Sequence, residues 1–280
     1  MPGGFDAALF FRHLLMYIET VPLALAAPAI VASAAYLNAR TGFSYDVRLF
    51  GSVFKAQLTA RRRLRNDKVN AFYILESHAL GKQANATLII FEGRQWTYRQ
   101  TYEAVLKYGH WLKTVHNVKP KEIVAMDYMN SEKFIFLWFG LWSIGAKPAF
   151  INYNLTGKTL AHCIKSSTAR LVLVDPEVEE YFTQEVRSNI NDIQIVVISP
   201  KLEVEILALQ AAREPDASRS EDKLQNTAAL IYTSGTTGLP KPAIMSWSKV
   251  NGGTVLVPNW ASYSKNDVLY TVFLIFLRTV

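Results

Sequence analysis

Apolar and polar positions change rhythm twice along the chain. Thr20 to Ala39 is a run of 20 residues without a charged side chain. As a helix it would extend roughly 30 Å, about the hydrocarbon thickness of a bilayer. The run is rich in alanine and holds Pro22 and Pro28; proline is better tolerated in membrane helices than in soluble ones. A weaker apolar stretch, Phe5 to Ile18, precedes it and carries Arg12 and His13. The run predicts an N-terminal membrane helix over residues 20–39. A hydrophobic helix docked on a soluble body and a cleaved signal peptide are the alternatives. The last fits poorly, because no basic region precedes a compact apolar core.

From about Val69 strand-like runs alternate with helix-like runs. Thr97 is placed to cap a helix reaching about Val115, with apolar residues at Tyr98, Tyr102, Val105, Leu106 and Leu112 and with Gln100 completing a capping box. Ile123 to Tyr128 reads as a buried strand. Ser131 caps a helix that stops at Gly145. Strands are expected at Ala149–Tyr153, Leu171–Asp175, Ile195–Ser199 and Ala228–Tyr232, and helices at Leu160–Ser167, Glu177–Asn189 and Leu202–Ala212. Glu214 to Lys223 is polar and reads as a surface loop. Strands and helices of these lengths in alternation predict parallel βαβ units, an α/β fold whose ligands gather at the carboxyl ends of the strands.

Composition sets bounds on this picture. The chain has 280 residues, 50% hydrophobic and 19% charged, which excludes a disordered tail or a disulfide-dense mini-domain. Its one cysteine, Cys163, allows no internal disulfide and no cysteine-based metal site. The net charge of +7 is concentrated in one place. Residues 40–68 hold eight basic and two acidic residues, a net of +6. A nucleic-acid groove would spread basic residues over a face among stacking aromatics, so no nucleic-acid partner is expected. A basic block after a membrane helix predicts a cytosolic body and suits anionic lipid headgroups. A solvated helix face is the plainer reading of Arg61 to Arg65. With a cytosolic body the sequons at Asn85 and Asn154 would go unused.

The sharpest chemical signal is the string Ile231-Tyr-Thr-Ser-Gly-Thr-Thr-Gly-Leu-Pro-Lys241. A buried strand opens into a loop of hydroxyl residues and glycines closed by a lysine. Glycine lets a ligand approach the backbone, and successive N–H groups and hydroxyls can surround phosphate oxygens. The spacing differs from a Walker loop, because Lys241 lies between Pro240 and Pro242.

This string resembles the phosphate-binding signature of the adenylate-forming superfamily. Phe136 to Asn154 and Ala243 to Trp247 resemble one branch of it, the fatty acid transport protein and very-long-chain acyl-CoA synthetase family in its fungal form. The resemblance runs from about residue 69 to 270. It implies the N-terminal part of the large domain of an adenylate-forming enzyme, with residues 1–40 as anchor, 41–68 as basic juxtamembrane segment and 69–280 as a partial AMP-binding domain. It implies a fatty acid substrate, ATP with Mg2+, and CoA as co-substrate. By motif position Thr233, Ser234, Gly235, Thr236, Thr237, Gly238 and Lys241 would hold the β- and γ-phosphates, with Tyr232 packed beneath the loop. No catalytic residue and no metal ligand is expected within this chain. Trp138, Phe139 and Trp142 are spaced for a helix face and read as core.

Two departures stand out. Pro242 occupies a position where the family usually has a small residue. After Thr271 the chain departs from the family's Met-Pro-Leu-(Tyr/Phe)-His continuation and ends at Val280. The expectation is therefore a fragment of the ligase, inactive alone. The alternatives are a non-catalytic membrane fatty acid transporter or partner subunit, and a ligase for another carboxylate. The endoplasmic reticulum, peroxisome, lipid droplet and plasma membrane all remain open as locations.

Overall fold

The computed structural model describes residues 23–220, 222–233, 238–264 and 267–270, together with Arg12 and Met16. The chain divides into two compact units, Met1–Phe54 and Lys55–Val280. The first contains α1 (Leu23–Thr41) and the beginning of α2 (Phe43–Arg65). Gly42 separates the helices in the left-handed region, φ +70°, where glycine carries no Cβ penalty. Its N–H donates to the Asn38 carbonyl at 2.8 Å, and the Asn38 side chain accepts from the Ser44 N–H at 2.7 Å.

Of the membrane helix expected over Thr20–Ala39, the structure describes the part from Leu23 onward, as α1. No helix among the described residues is long and apolar enough to cross a membrane. The apolar content of α1 is largely alanine, and its last turn holds Asn38, Arg40 and Thr41. Alanine removes little apolar area from water, so a run free of charge is not thereby strongly lipophilic. Thr20 to Pro22, and the Phe5–Ile18 stretch apart from Arg12 and Met16, lie outside the described residues.

The second unit is a three-layer α/β body. After α3 (Phe72–Ala79) comes a hairpin, β1 (Thr87–Phe91) and β2 (Arg94–Thr97), turning through Glu92 and Gly93, both at positive φ. The main sheet contains β3 (Ile123–Asp127), β4 (Lys147–Ile151), β5 (Leu171–Val174), β6 (Gln194–Val197), β7 (Thr227–Thr233) and β8 (Lys241–Ser246). Its order is β6-β5-β3-β4-β7-β8, parallel throughout except for the antiparallel pair β7–β8.

The helices are α4 (Tyr98–Val115), α5 (Glu132–Ser143), α6 (Gly157–Ser166), α7 (Gln184–Asn189), α8 (Pro200–Ala208) and α9 (Trp247–Trp260). Alternate strand residues face opposite layers. Val124 and Met126 of β3 join the core formed with α4 and α5, whereas Ala125 joins the core formed with α6 and α7. Trp142 is buried and Trp138 and Phe139 pack against that first core, as their spacing suggests.

Local signals set most boundaries. Thr97 and Gln100 form the expected capping box, and Ser131 accepts from the Phe134 N–H. Two expectations fail. The single helix expected over Glu177–Asn189 is a 3-10 turn, Pro176–Tyr181, followed by α7. Asp175 caps the turn and Thr183 starts a new helix, so side chains offer the backbone an alternative to continuing.

The supposed surface loop, Glu214–Lys223, is deeply anchored. Arg219 and Asp222 are almost wholly buried. The Arg219 guanidinium donates to the carbonyls of Ser143 and Glu214 and lies over the Phe72 ring at 4.8 Å. Asp222 accepts from the Lys147 ammonium at 2.8 Å. Polarity misleads at these two residues because each buried charge has a partner, which is the condition under which charged groups are buried.

Candidate functional site

Strand β7 runs parallel to β4, with Phe150 opposite Ile231, so both leave the sheet at their carboxyl ends on the same side. β7 continues to Thr233 and the chain returns as β8 from Lys241, directly opposite Thr233. The ladder thus closes a seven-residue connection, 234–240, at its base. Thr233, Gly238 and Lys241 are exposed there, and Gly238 has φ +85°, in the region that favours glycine. Of the expected phosphate-binding residues, Ser234, Gly235, Thr236 and Thr237 lie outside the described residues. The three others converge at one end of the sheet, where ligands of parallel α/β folds collect.

Both ends of the connection are tied to the same helix. The Tyr232 hydroxyl donates to the Cys163 carbonyl of α6 at 2.7 Å, and Tyr232 is buried. Burial pushes the Tyr232 phenol up to about 12, so it remains a neutral donor. Past the loop, His162 Nε2 lies 3.1 Å from the Pro240 carbonyl oxygen. A carbonyl only accepts, so His162 carries a proton on Nε2 in this contact.

Pro242, the departure from the motif, pairs with Tyr232 on β8. β8 is an edge of the sheet, where a missing N–H is tolerated.

A second polar feature lies at the carboxyl end of β3. Asp127 is wholly buried, and neither carboxylate oxygen has a hydrogen-bond partner among the described residues. Burial, reinforced by the nearby Asp175 carboxylate, pushes its pKa up to about 7. Asp175 itself accepts from the N–H groups of Glu177 and Met129, at 3.0 and 3.3 Å. Burial, and next the Asp127 charge, pushes the Cys163 thiol up to about 11, so it is not poised as a nucleophile. His162 and Asp127 carry no motif; their roles come from packing that periodicity does not reveal.

The hydroxyls, glycines and lysine of the loop suit a polyphosphate, since all are donors or cations and none is an acid. No group of three or more His, Cys, Asp or Glu among the described residues can hold a metal ion.

Comparison with known proteins follows the same lines. The family described as AMP-binding enzyme matches residues 75–276. The very long-chain fatty acid transport protein of Cochliobolus heterostrophus is 31% identical over 90% of this chain and 40% of its own length. That of Saccharomyces cerevisiae is 35% identical over 68% of this chain and 29% of its own length. The chain thus spans less than half of these relatives. Among solved structures, the anthranilate CoA ligase AuaEII, in complex with anthranoyl-AMP, is similar over 64% of this chain and 34% of its own, with 26% identity and a TM-score of 0.53.

Proposed function

The chain belongs to the AMP-binding enzyme family, and on that footing we propose that it carries the ATP-phosphate site of a long-chain or very-long-chain fatty acid–CoA ligase. In that reaction the fatty acid carboxylate attacks the α-phosphate of ATP, releasing pyrophosphate and leaving an acyl adenylate. The CoA thiol then displaces AMP. Thr233, Ser234, Gly235, Thr236, Thr237, Gly238 and Lys241 hold the β- and γ-phosphates through N–H, hydroxyl and ammonium donors as negative charge gathers on the leaving pyrophosphate. No step is assigned to a metal.

The observation that carries this reading is the closed base of the loop. Thr233 and Lys241 face each other at the carboxyl end of the sheet, inside the segment that the family matches. The fatty acid substrate rests on the similarity to the two fungal transport proteins. The similarity to an aryl-CoA ligase supports a second reading, in which the same loop serves another carboxylate. Coupling of ligation to fatty acid uptake belongs to the first reading. So does attachment to an intracellular membrane or the plasma membrane through residues 20–39 and the basic residues of 40–68, with the body in the cytosol. On this reading the chain supplies the phosphate site of that reaction.

Titration of the purified chain with a fluorescent ATP analogue tests the site. Lys241→Ala and Thr236→Ala are each expected to weaken binding by about tenfold or more, the usual effect of deleting a hydrogen bond to a charged group. Unchanged affinity in both variants would overturn the assignment.

A further inference from the structure

Helix α2 presents an apolar stripe that none of the described residues covers. Phe43, Val47, Phe50, Phe54 and Leu58 recur at helical spacing, and at about 100° per residue they share an arc of about 80°. They are 67, 54, 72, 62 and 49% exposed. The stripe runs roughly 22 Å along the axis. Its continuation on the same line is Arg61 and Arg65, and Arg62 follows on its flank, all three exposed. The last turns hold Arg62, Arg63 and Arg65 as well, where cations also complement the helix dipole. Beside this basic end an open cavity of about 320 Å³ is lined by residues including Arg62, Arg63, Lys68 and His78.

An exposed stripe with three phenylalanines calls for an apolar partner. The charge pattern decides which. Residues 40–68 carry a net +6, so a second copy of the chain would bring like charge against like. A surface that offers apolar depth next to negative headgroups meets both features at once. We propose that α2 lies in the plane of an anionic membrane, with Phe43, Val47, Phe50, Phe54 and Leu58 sunk among acyl chains and the arginines at headgroup level. This sharpens the membrane attachment proposed above. It assigns the contact to an in-plane helix of residues 43–65 and gives it a preference for anionic lipid.

The test uses the full chain and vesicles of phosphatidylcholine with and without phosphatidylserine. Cys163 is the chain's one cysteine and is buried, so a cysteine introduced at position 54 is selectively labelled. An environment-sensitive dye at position 54 is expected to shift to the blue on phosphatidylserine vesicles, whereas the same dye at position 59 stays polar. Phe50→Ser with Phe54→Ser is expected to weaken partitioning by about tenfold or more, two half-exposed aromatic side chains being withdrawn from lipid. Arg61→Gln with Arg65→Gln is expected to abolish the preference for phosphatidylserine while leaving residual binding.

Vesicle binding that none of these variants alters would overturn the inference yet leave membrane attachment by residues 20–39 standing. Absence of binding would overturn both. A dimer in solution that Phe50→Ser with Phe54→Ser dissolves, without vesicle binding, would assign the stripe to a second copy. Because the side chains at 50, 54, 61 and 65 are exposed, an unchanged melting temperature shows that these variants fold.

Discussion

His162 on α6 holds the carbonyl of Pro240 at 3.1 Å, and Tyr232, on the other side of the loop, holds the carbonyl of the next α6 residue, Cys163, at 2.7 Å. One helical turn thus clamps the strand that enters the connection and the chain that leaves it. The clamp sets where Lys241 emerges, because Pro240 directly precedes it.

His162 is on this geometry a positioning residue. His162→Ala is expected to weaken binding of an ATP analogue by about three- to tenfold, the range of one net hydrogen bond, with little change in melting temperature. His162→Gln, which keeps a donor, should recover most of the loss. Equal weakening by both variants would show that the imidazole matters for some reason other than its N–H.

Asp127 makes stability depend on pH. Burial pushes its pKa up to about 7 in the folded chain, whereas an aspartate in the unfolded chain titrates near 3.8. Between these values the folded state binds more protons than the unfolded state, so stability falls as pH rises from about 4 to 7. The contribution is fully present below the lower value and lost above the upper one. Asp127→Asn, which mimics the protonated acid, is expected to flatten this part of the urea-midpoint profile. It should be more stable than the parent at pH 8 and similar at pH 4.

Lys147 and Asp222 form an ion pair with both side chains about 5% exposed or less, and the Lys147 ammonium lies over the Trp247 ring at 4.8 Å. Burial lowers the lysine's pKa against the opposing pull of Asp222. Lys147→Met strands a buried carboxylate and is expected to cost about 3–5 kcal/mol in urea unfolding. Lys147→Met with Asp222→Leu should recover most of that loss. A double variant no better than the single one would mean that the pair, not merely its balance of charge, holds the 214–222 segment.

Gly145 is confined in two ways. Its φ is +82°, and a Cβ there would meet the Ser218 carbonyl oxygen at 1.9 Å. Gly145→Ala is expected to destabilise the second unit by about 2 kcal/mol or more, as strain at a left-handed position adds to a clash with backbone. A thermal shift assay reads this directly, and an unchanged melting temperature would mean that the 214–222 segment can move away at little cost.

Motif and periodicity made the second unit largely legible. Thr97 with Gln100 and Ser131 with the Phe134 N–H are short-range bonds, and the strands from Ile123 to Tyr232 are continuous apolar runs. The burial of Arg219 and Asp222 was opaque because their partners, Ser143, Phe72 and Lys147, are distant in sequence.

Local chemistry determined the α/β alternation, the caps and the phosphate-suited loop, because capping, turn formation and period follow from neighbours a few residues apart. Tertiary structure alone decided that α6 clamps the ends of that loop, that Asp127 lies near Asp175 without a donor among the described residues, and that α2 turns three phenylalanines outward. Each of these depends on which segments fold against one another. That is set by the burial of whole faces, and no window of sequence contains it.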